Sequence, residues 1–421
     1  MKIALVSHIP LFPTGQGHRR RILTIIRSLR ALGHDVHFIL LRSRDSDDAD
    51  MARHEEELGA ANISVIERTL LADFPGRLLR NLPHIARRLA MKVNRKVRQR
   101  LGVPGGYYNL LDEWYFPDFT PALAALHERF RFEAVMVEYI FFSRAFEAFP
   151  ASTLRILDTH DSFADRHLSF GESANRGMYW FSVPPSEQIR AFRRADVVIA
   201  IQEEEAENFA RALGSPPPAV TTVSYAPETT ARVADYAPSG AVFIGSRSQQ
   251  NEEAMAYFIT SVMPLVIREL PDFRLDVVGR VCEVVPDHPN IRKRGFVAEV
   301  IDAYREAPLA INPMRTGTGI NIKLIDAMAC GVFTLTTRTG ARGLGSAFLG
   351  GVELVDDDDP AAFAERLVVY LRSEAERRDG GLRALASIEA WNRLQIDRLA
   401  ELLANPANGA TRTTPTIKPD R

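Results

Sequence analysis

Short apolar runs alternate with amphipathic stretches along this chain, and their order predicts an α/β protein. Near the start, Lys2–Ser7 has the apolar character of a buried strand, Arg19–Leu32 has the spacing of a helix, and Asp35–Leu41 is a second strand. A strand, a helix and another strand in succession predict parallel pairing through a right-handed crossover. The expected sheet is therefore parallel.

The same order of elements begins again at Ala241–Gly245, after the stretch Tyr225–Gly240 with its prolines and few apolar residues. No fixed period relates the two halves, so the pattern predicts two doubly wound, Rossmann-like domains and not a solenoid. The length of 421 residues also has room for two domains of roughly 200 residues. We predict a first domain over residues 1–228, a linker over 229–240, a second domain over 241–386, a terminal helix over 387–404 and a disordered tail over 405–421.

Composition narrows the class of protein. A charged fraction of 25% beside 46% hydrophobic residues is typical of a soluble globular protein, and a net charge of −1 argues against bulk nucleic-acid binding. Cys282 and Cys330 form neither a disulfide framework nor a metal-ligand spacing, which fits a reducing compartment. The first ten residues lack a small-residue cleavage site, and no apolar run approaches the roughly 18 residues of a membrane span. We expect a cytoplasmic protein.

The segment Asn312–Leu344 holds the densest candidate chemistry. A Gly-Thr-Gly turn at 317–319 precedes a helical run, Ile320–Cys330, which Gly331 ends as a left-handed cap. A glycine turn that leads into a helix presents unpaired backbone N–H groups at the positive end of the helix dipole. The segment therefore predicts a site for a phosphate group.

Two charged residues of this helix extend the prediction. Lys323 lies in the first turn, and Asp326 follows three residues later on the same face. A cation near the phosphates and a deeper carboxylate would suit a nucleotide sugar, because the carboxylate can accept hydrogen bonds from ribose hydroxyls. An ordinary amphipathic helix with a solvated Lys–Asp pair fits the same residues.

The string GTGINIKLIDAMACGVFTLTT, which starts at Gly317, resembles the donor-binding segment of the retaining glycosyltransferases of family 4. Lys323 falls on the phosphate-binding lysine of that family. Asn321 stands where an arginine is frequent, Asp326 stands where a glutamate normally holds the donor ribose, and Arg342 stands where an acid is expected. The resemblance implies a GT-B fold, in which two Rossmann-like domains face each other across a cleft and the last helix crosses back to the first domain.

Two further loops are similar to loops of that family. Gly15 and Gly17 would let backbone amides approach the donor phosphates, although a plain strand-to-helix turn explains them too; the loop lacks the third glycine of a dinucleotide fingerprint. Gly245 and Asn251 fit the first loop of the second domain, where Arg247 would reach the pyrophosphate or would be an ordinary exposed arginine. The donor-binding residues implied by the resemblance are Gly15, Gly17, Gly245, Asn251, Phe296, Gly317, Thr318, Gly319 and Asp326.

In the first half, candidate residues follow the ends of predicted strands. Glu138 ends one strand, and His160 and Asp161 follow another. The carboxyl ends of parallel strands line the crevice where ligands bind in open α/β sheets. Many family 4 enzymes have a histidine after a comparable strand, so the resemblance implies that His160 is catalytic and positions the sugar. A structural histidine bonded to its aspartate neighbours fits as well. Glu138, Asp161 and Arg19 are candidates for the acceptor side.

The most unusual composition lies in Arg77–Arg100, which has nine Lys or Arg residues and no acid. Apolar residues, among them Leu82, Leu89 and Val93, recur at helical spacing, and we expect them beneath the charges. A basic amphipathic helix can lie on anionic lipid headgroups. It can equally be a domain helix with a solvated basic face.

These observations favour a retaining glycosyltransferase that moves a sugar from a nucleotide-diphosphate sugar to a glycan or lipid-linked acceptor, with no cofactor and no metal. His160, Arg247 and Lys323 would be its catalytic residues, the two cations neutralising the leaving diphosphate. Two alternatives stay open. One is a nucleotide-sugar epimerase of the same architecture, and the other is a catalytically inactive homologue that acts as a binding module.

Overall fold

The computed structural model describes residues 1–42, 46–67, 76–103, 105–170, 180–214, 218–230, 240–297, 300–305, 307–317 and 319–405. Thr318, most of the predicted linker and nearly all of the predicted disordered tail lie outside these residues. The chain falls into two compact units. The first contains Met1–Pro13, Ile26–Val223 and the described residues from Arg398 onward, and the second contains Thr14–Ile25 and Ser224–Asp397. The predicted domain limits stay predictions.

The first unit is built on a parallel sheet of seven strands. These are β1 (Lys2–Ser7), β2 (Asp35–Leu41), β3 (Ile63–Ile66), β4 (Ala134–Glu138), β5 (Leu154–Asp158), β6 (Val197–Ala200) and β7 (Ala219–Thr222). Their order is β3-β2-β1-β4-β5-β6-β7, so the sheet winds outward in both directions from β1. Glu138 and Asp158 are paired in register at the carboxyl ends of β4 and β5.

The helices between these strands are mostly amphipathic. They are α1 (Gly17–Ala31), α2 (Met51–Leu58), α3 (Gly76–Arg100), α4 (Phe119–Phe130), α5 (Pro185–Phe192) and α6 (Glu203–Leu213). Residues of α1 up to Ile25 group with the second unit. Helix α6 carries three glutamates in its first turn, which suit the positive end of the helix dipole.

The second unit repeats the arrangement with six parallel strands in the order β10-β9-β8-β11-β12-β13. The strands are β8 (Gly240–Ile244), β9 (Arg274–Val278), β10 (Ile291–Gly295), β11 (Leu309–Asn312), β12 (Thr334–Thr337) and β13 (Val352–Val355). The helices are α7 (Gln249–Tyr257), α8 (Met263–Glu269), α9 (Val300–Arg305), α10 (Ile322–Ala329), α11 (Pro360–Arg372) and α12 (Glu374–Ala404). The predicted α/β class with two Rossmann-like domains is confirmed.

Apolar clusters cover both faces of the second sheet at its central strands, and this burial explains the apolar runs Ala241–Ile244 and Val277–Val278. Phe243 and Val277 belong to a large hydrophobic cluster on one face. Val242 and Val278, their neighbours in sequence, belong to a smaller cluster on the other face. Side chains alternate across a strand, so continuous apolar runs fill both layers.

The terminal helix begins earlier than predicted. Helix α12 starts at Glu374, whereas the sequence analysis predicted a terminal helix from residue 387, which lies after the pair Gly380-Gly381. These glycines allow close packing: a Cβ on Gly381 would lie 2.3 Å from the carbonyl oxygen of Gly331, and a Cβ on Gly380 would lie 2.3 Å from the ring of Phe333.

Helix α3 corrects a second expectation. Three apolar residues of the helix do not lie beneath the charges, since Leu82, Leu89 and Val93 are 51%, 59% and 63% exposed. Arginines occupy the inner face instead. Arg95 pairs with the buried Glu113 at 3.0 Å, and the Arg88 guanidinium lies 5.4 Å from the centre of the Phe116 ring. Among the described residues, no helix is both long and apolar enough to cross a membrane.

Candidate functional site

The glycine turn and helix α10 of the second unit place Lys323 at the centre of a polar cluster. Lys323 is half-buried, and its Nζ donates to Asn251 Oδ1 at 2.5 Å and contacts Met314 Sδ at 3.4 Å. The same Nζ lies 5.0 Å from the centre of the Phe243 ring. Asn251 is fixed in the first turn of α7, where its backbone N–H is capped by Ser248. Lys323, a predicted catalytic residue, is thus in direct contact with Asn251, a predicted donor-binding residue.

A second cation lies close to Lys323. Burial, followed by the positive charge of Arg342, lowers the pKa of Lys323 from 10.5 to about 7. The Arg342 guanidinium packs on Gly317: a Cβ on that glycine, whose φ is 140°, would lie 2.4 Å from Nη2. Arg342 Nη1 also donates to the carbonyl of Thr339 at 3.0 Å. Two cations therefore meet at the turn that precedes α10, an arrangement that suits an anion.

Asp326 is buried in α10 and already has two partners. It accepts a hydrogen bond from the Tyr225 hydroxyl at 2.9 Å and pairs with Arg20 Nη2 at 2.8 Å. Burial raises the pKa of Asp326, against the opposing effect of the Arg20 charge and the Tyr225 hydrogen bond. The role of Asp326 as a ribose ligand stays a prediction. Each carboxylate oxygen can accept more than one hydrogen bond.

Gly15 and Gly17 lie where the chain comes close to other parts of the second unit. A Cβ on Gly15 would lie 3.0 Å from the Phe296 ring, and a Cβ on Gly17 would lie 2.6 Å from Ile322 Cδ1. The Phe296 ring is 67% exposed, so it is accessible to a ligand. Gly15, Phe296 and the start of α10 therefore lie near one another.

Arg247 lies at the surface with acidic partners. Its guanidinium pairs with Glu283 at 3.0 Å and with Glu252 at 3.7 Å. Gly245 precedes it and packs against Asn251, whose Cγ would lie 3.1 Å from a Cβ at that glycine. The structure therefore joins Gly245 to the Lys323 cluster, whereas contact of Arg247 with a diphosphate stays a prediction.

In the first unit, His160 is buried beside two carboxylates. Its Nε2 contacts Glu138 Oε2 and lies 3.9 Å from Asp158 Oδ2. The backbone of His160 has a φ of 61°, and the ring stacks on Tyr139 with 4.2 Å between centroids. One ligand atom of each of Glu138, Asp158 and His160 lies within 4.8 Å of the others, close enough to hold one metal ion. A structural hydrogen bond between His160 and Glu138 accounts for the same geometry.

Asp161 and Arg19, the other two acceptor-side candidates, have local partners. Asp161 pairs with Arg166 at 2.5 Å and accepts from the Ser162 backbone N–H at 2.8 Å. Burial raises the pKa of Asp161, and the Arg166 charge opposes the rise. Arg19 is a buried residue of the first turn of α1, and its backbone N–H donates to Gln16 O at 3.1 Å. The functional roles of both residues, and that of His160, stay predictions.

Residues 16–226 match the family model described as a glycosyl transferase 4-like domain, and residues 238–373 match the one described as glycosyl transferases group 1. A Klebsiella pneumoniae protein described as an uncharacterized 44.6 kDa protein in the cps region is 24% identical over 161 residues. That match covers 35% of this chain and only 41% of the length of the Klebsiella protein.

Solved structures show the same fold. One is a mutant of S. aureus TarM in complex with fondaparinux, α-GlcNAc-glycerol and UDP. It has a TM-score of 0.64 at 8% identity, and the match covers 97% of this chain and 99% of the TarM chain. Anabaena Alr3699/HepE, in complex with UDP and glucose, has a TM-score of 0.60 at 12% identity, with 95% and 99% covered.

Two Rossmann-like sheets and these likenesses define a protein of the GT-B class, as the sequence predicted. The chain belongs to the glycosyl transferase 4-like family, whose model covers residues 16–226 of the 421, and it continues into the group 1 domain at 238–373. It is a glycosyltransferase.

Proposed function

We propose that this glycosyltransferase takes its sugar from a nucleotide-diphosphate sugar and transfers it with retention, and without a metal, to a glycan or lipid-linked acceptor. The observation that carries the proposal is that two cations, Lys323 and Arg342, lie close to each other at the glycine turn before α10. The TarM and Alr3699/HepE structures contain UDP, which supports a nucleotide donor.

The proposed chemistry needs charge neutralisation at one place. When the bond between the anomeric carbon and the diphosphate oxygen breaks, the electron pair stays with the diphosphate, which gains negative charge. Lys323 and the backbone N–H groups at the start of α10 are arranged to stabilise such a charge. Asn251, which accepts from Lys323 Nζ, would hold the ammonium group in place during the reaction.

A panel of UDP-, GDP-, ADP- and CMP-sugars tests the donor. A nucleotide sugar that binds the folded state raises the melting temperature by mass action. We expect a shift with one class of nucleotide that is absent in Lys323→Ala. Sugar transfer is then followed with that donor, and NMR of the product shows whether the anomeric configuration is retained. A folded protein that none of the nucleotides stabilises would contradict the proposal.

The contacts of Asp326 favour one other candidate, a binding module without turnover. Its carboxylate is held by Arg20 and Tyr225, and it replaces the longer glutamate expected at that position. A binding module would be stabilised by the nucleotide but would neither transfer nor hydrolyse the sugar. Glycosidic products over a range of acceptors would exclude it.

We further propose a peripheral contact with an anionic membrane through α3. The outward face of this helix carries Leu82, Leu89, Val93 and Val97, all more than 45% exposed. Exposed cations, including Lys92 and Lys96, flank this apolar face. Apolar side chains would enter the lipid interface while the cations contact acidic headgroups. Such a contact would suit a lipid-linked acceptor.

A further inference from the structure

Arg342 and Asn321 are neighbours in space. The backbone N–H of Asn321 donates to the carbonyl of Arg342 at 3.4 Å. A Cβ on Gly343 would lie 2.9 Å from the Cα of Ile320, so the two backbone segments are packed directly on each other. A long side chain at either position therefore starts from nearly the same place beside the glycine turn.

The side chain of Asn321 has a structural role. It is 4% exposed, and its Nδ2 donates to Asn312 Oδ1 at 3.3 Å. The amide of Asn312 in turn donates to Thr336 Oγ1 at 3.0 Å and to Gly340 O at 2.9 Å. Asn321 is thus one member of a buried amide network that ties the end of β11 to β12, and it brings no charge to the turn.

Arg342 does bring a charge there. Its guanidinium packs against Gly317, and its positive charge acts on Lys323. Two like charges at close range destabilise each other, and a bound anion between them removes that cost. The bond from Nη1 to Thr339 O orients the guanidinium at the turn. A guanidinium held in this way suits a planar, two-pronged contact with phosphate oxygens.

We propose that Arg342 is the second diphosphate-binding cation of this protein, in place of a cation at position 321. The inference rests on the proposed function and deepens it, because it assigns recognition of the diphosphate to Lys323 and Arg342 acting as a pair. Compared with the family pattern, position 321 has lost a cation and position 342 has gained one, so a cation stays at the glycine turn but comes from the turn after β12 and not from the start of the helix.

Calorimetric titration with magnesium-free inorganic pyrophosphate and with UDP tests the inference. Arg342→Gln should bind pyrophosphate roughly 10- to 100-fold more weakly, the range expected when one charge-assisted contact is lost. The dependence of log K on log salt concentration should also weaken. Arg342→Lys keeps the charge and should fall between wild type and Arg342→Gln. Arg338→Gln is the matched control. Arg338 begins the same turn after β12 that leads to Arg342, but it is exposed and pairs with Asp356.

The outcomes separate the inference from the proposed function. Unchanged pyrophosphate and UDP affinity in Arg342→Gln and Arg342→Lys would overturn the role of Arg342 and leave the transferase proposal intact. Loss of pyrophosphate binding in Arg342→Gln, in a protein that transfers no sugar from any donor, would support the anion site and reject the transfer reaction. A wild-type protein that binds neither pyrophosphate nor nucleotide would overturn both. Melting temperatures without ligand verify that each variant is folded.

Discussion

At the scale of single residues, Lys323 is the most informative group because its environment disfavours the protonated form of its side chain. Burial and Arg342 lower the pKa of Lys323 to about 7, although Asn251 accepts a hydrogen bond from its Nζ. A lysine in this setting loses its proton near neutral pH when no anion is bound. It regains the proton when an anion arrives, so binding and protonation are linked.

This linkage predicts proton uptake on binding. At pH 8 the free protein holds Lys323 mostly neutral, and bound pyrophosphate should raise the pKa of Lys323, so that uptake approaches one proton. Because the protonated form is the one that binds, affinity should fall as pH rises above about 7, by up to about tenfold per unit. Calorimetry in two buffers of different ionisation enthalpy measures the uptake directly.

The control for this prediction is Lys323→Arg, since a guanidinium stays charged across the whole range. Its pyrophosphate affinity should depend much less on pH than that of wild type above about pH 7, because only the ligand then titrates. Equal proton uptake by wild type and Lys323→Arg would show that another group titrates.

Lys323 and Asn251 could be chosen as candidates from the sequence because Lys323 follows a glycine turn and Asn251 lies after a loop that resembles one of the family, and their functional roles stay predictions. The sequence could also predict that Glu138 and His160 lie at the same edge of the sheet, because Glu138 ends one parallel strand and His160 follows another. Arg20 and Tyr225 were missed as partners of Asp326. Each is separated from it by 100 residues or more, and no local pattern marks a buried ion pair of that kind.

At the scale of elements, glycines set how closely the second sheet and its loops can pack. Gly279 follows β9 with a φ of 93°, and a Cβ there would lie 2.4 Å from the carbonyl oxygen of Gly245. Gly295 ends β10 with a φ of 69°, but among the described residues beyond its chain neighbours no heavy atom lies within 4 Å of its Cβ position. Alanine substitutions at Gly279 and Gly295 therefore separate the cost of backbone strain from the cost of steric crowding.

Gly295→Ala should cost about 1 kcal/mol of the free energy of unfolding, from the left-handed backbone alone. Gly279→Ala should cost about 3 kcal/mol or more, because the methyl group also collides with a backbone atom that cannot move without disturbing β8. Urea denaturation of the two variants measures both values. Equal losses would mean that the loop after β8 relaxes and that the close approach is not required.

Element boundaries were less predictable than element types. A Gly-Gly pair normally weakens a helix, and the predicted start of α12 lies after such a pair. The helix continues through because those glycines fit against Gly331 and Phe333. The orientation of α3 was likewise unpredictable from spacing alone. Its inner face is selected by Glu113 and Phe116, which lie beyond the helix in sequence.

At the scale of the whole molecule, repetition of the strand–helix order was enough to predict two Rossmann-like domains, and the family matches agree with it. Membership of single segments was not predictable. Thr14–Ile25 belongs to the second unit although the chain on either side belongs to the first. That grouping depends on long-range contacts such as the pair of Arg20 with Asp326, which local pattern does not encode.

The outward apolar face of α3 gives the prediction that concerns the protein's location. Sedimentation with vesicles of phosphatidylglycerol and phosphatidylcholine should recover the protein, and vesicles of phosphatidylcholine alone should not. Each cation near an anionic surface contributes about 1 kcal/mol, and the exposed leucines and valines add burial of apolar surface in the lipid. The double variant Leu89→Glu, Val93→Glu should therefore reduce vesicle binding at least roughly tenfold. Two apolar side chains that would enter the lipid become two charges that the anionic surface repels.

Leu382→Glu is the matched control for that double variant, since Leu382 is 62% exposed on α12, close to the 59% of Leu89 and the 63% of Val93. It adds negative charge without touching α3, so its vesicle binding should stay near that of wild type.

Higher salt should weaken wild-type binding to the vesicles. Some binding should remain because screening acts on the charges alone and not on the insertion of apolar side chains. Binding that vanishes completely in salt would assign the contact to the cations. Binding equally strong in the Leu89 and Val93 variant would move the membrane surface away from α3, and the apolar face would then need a protein partner.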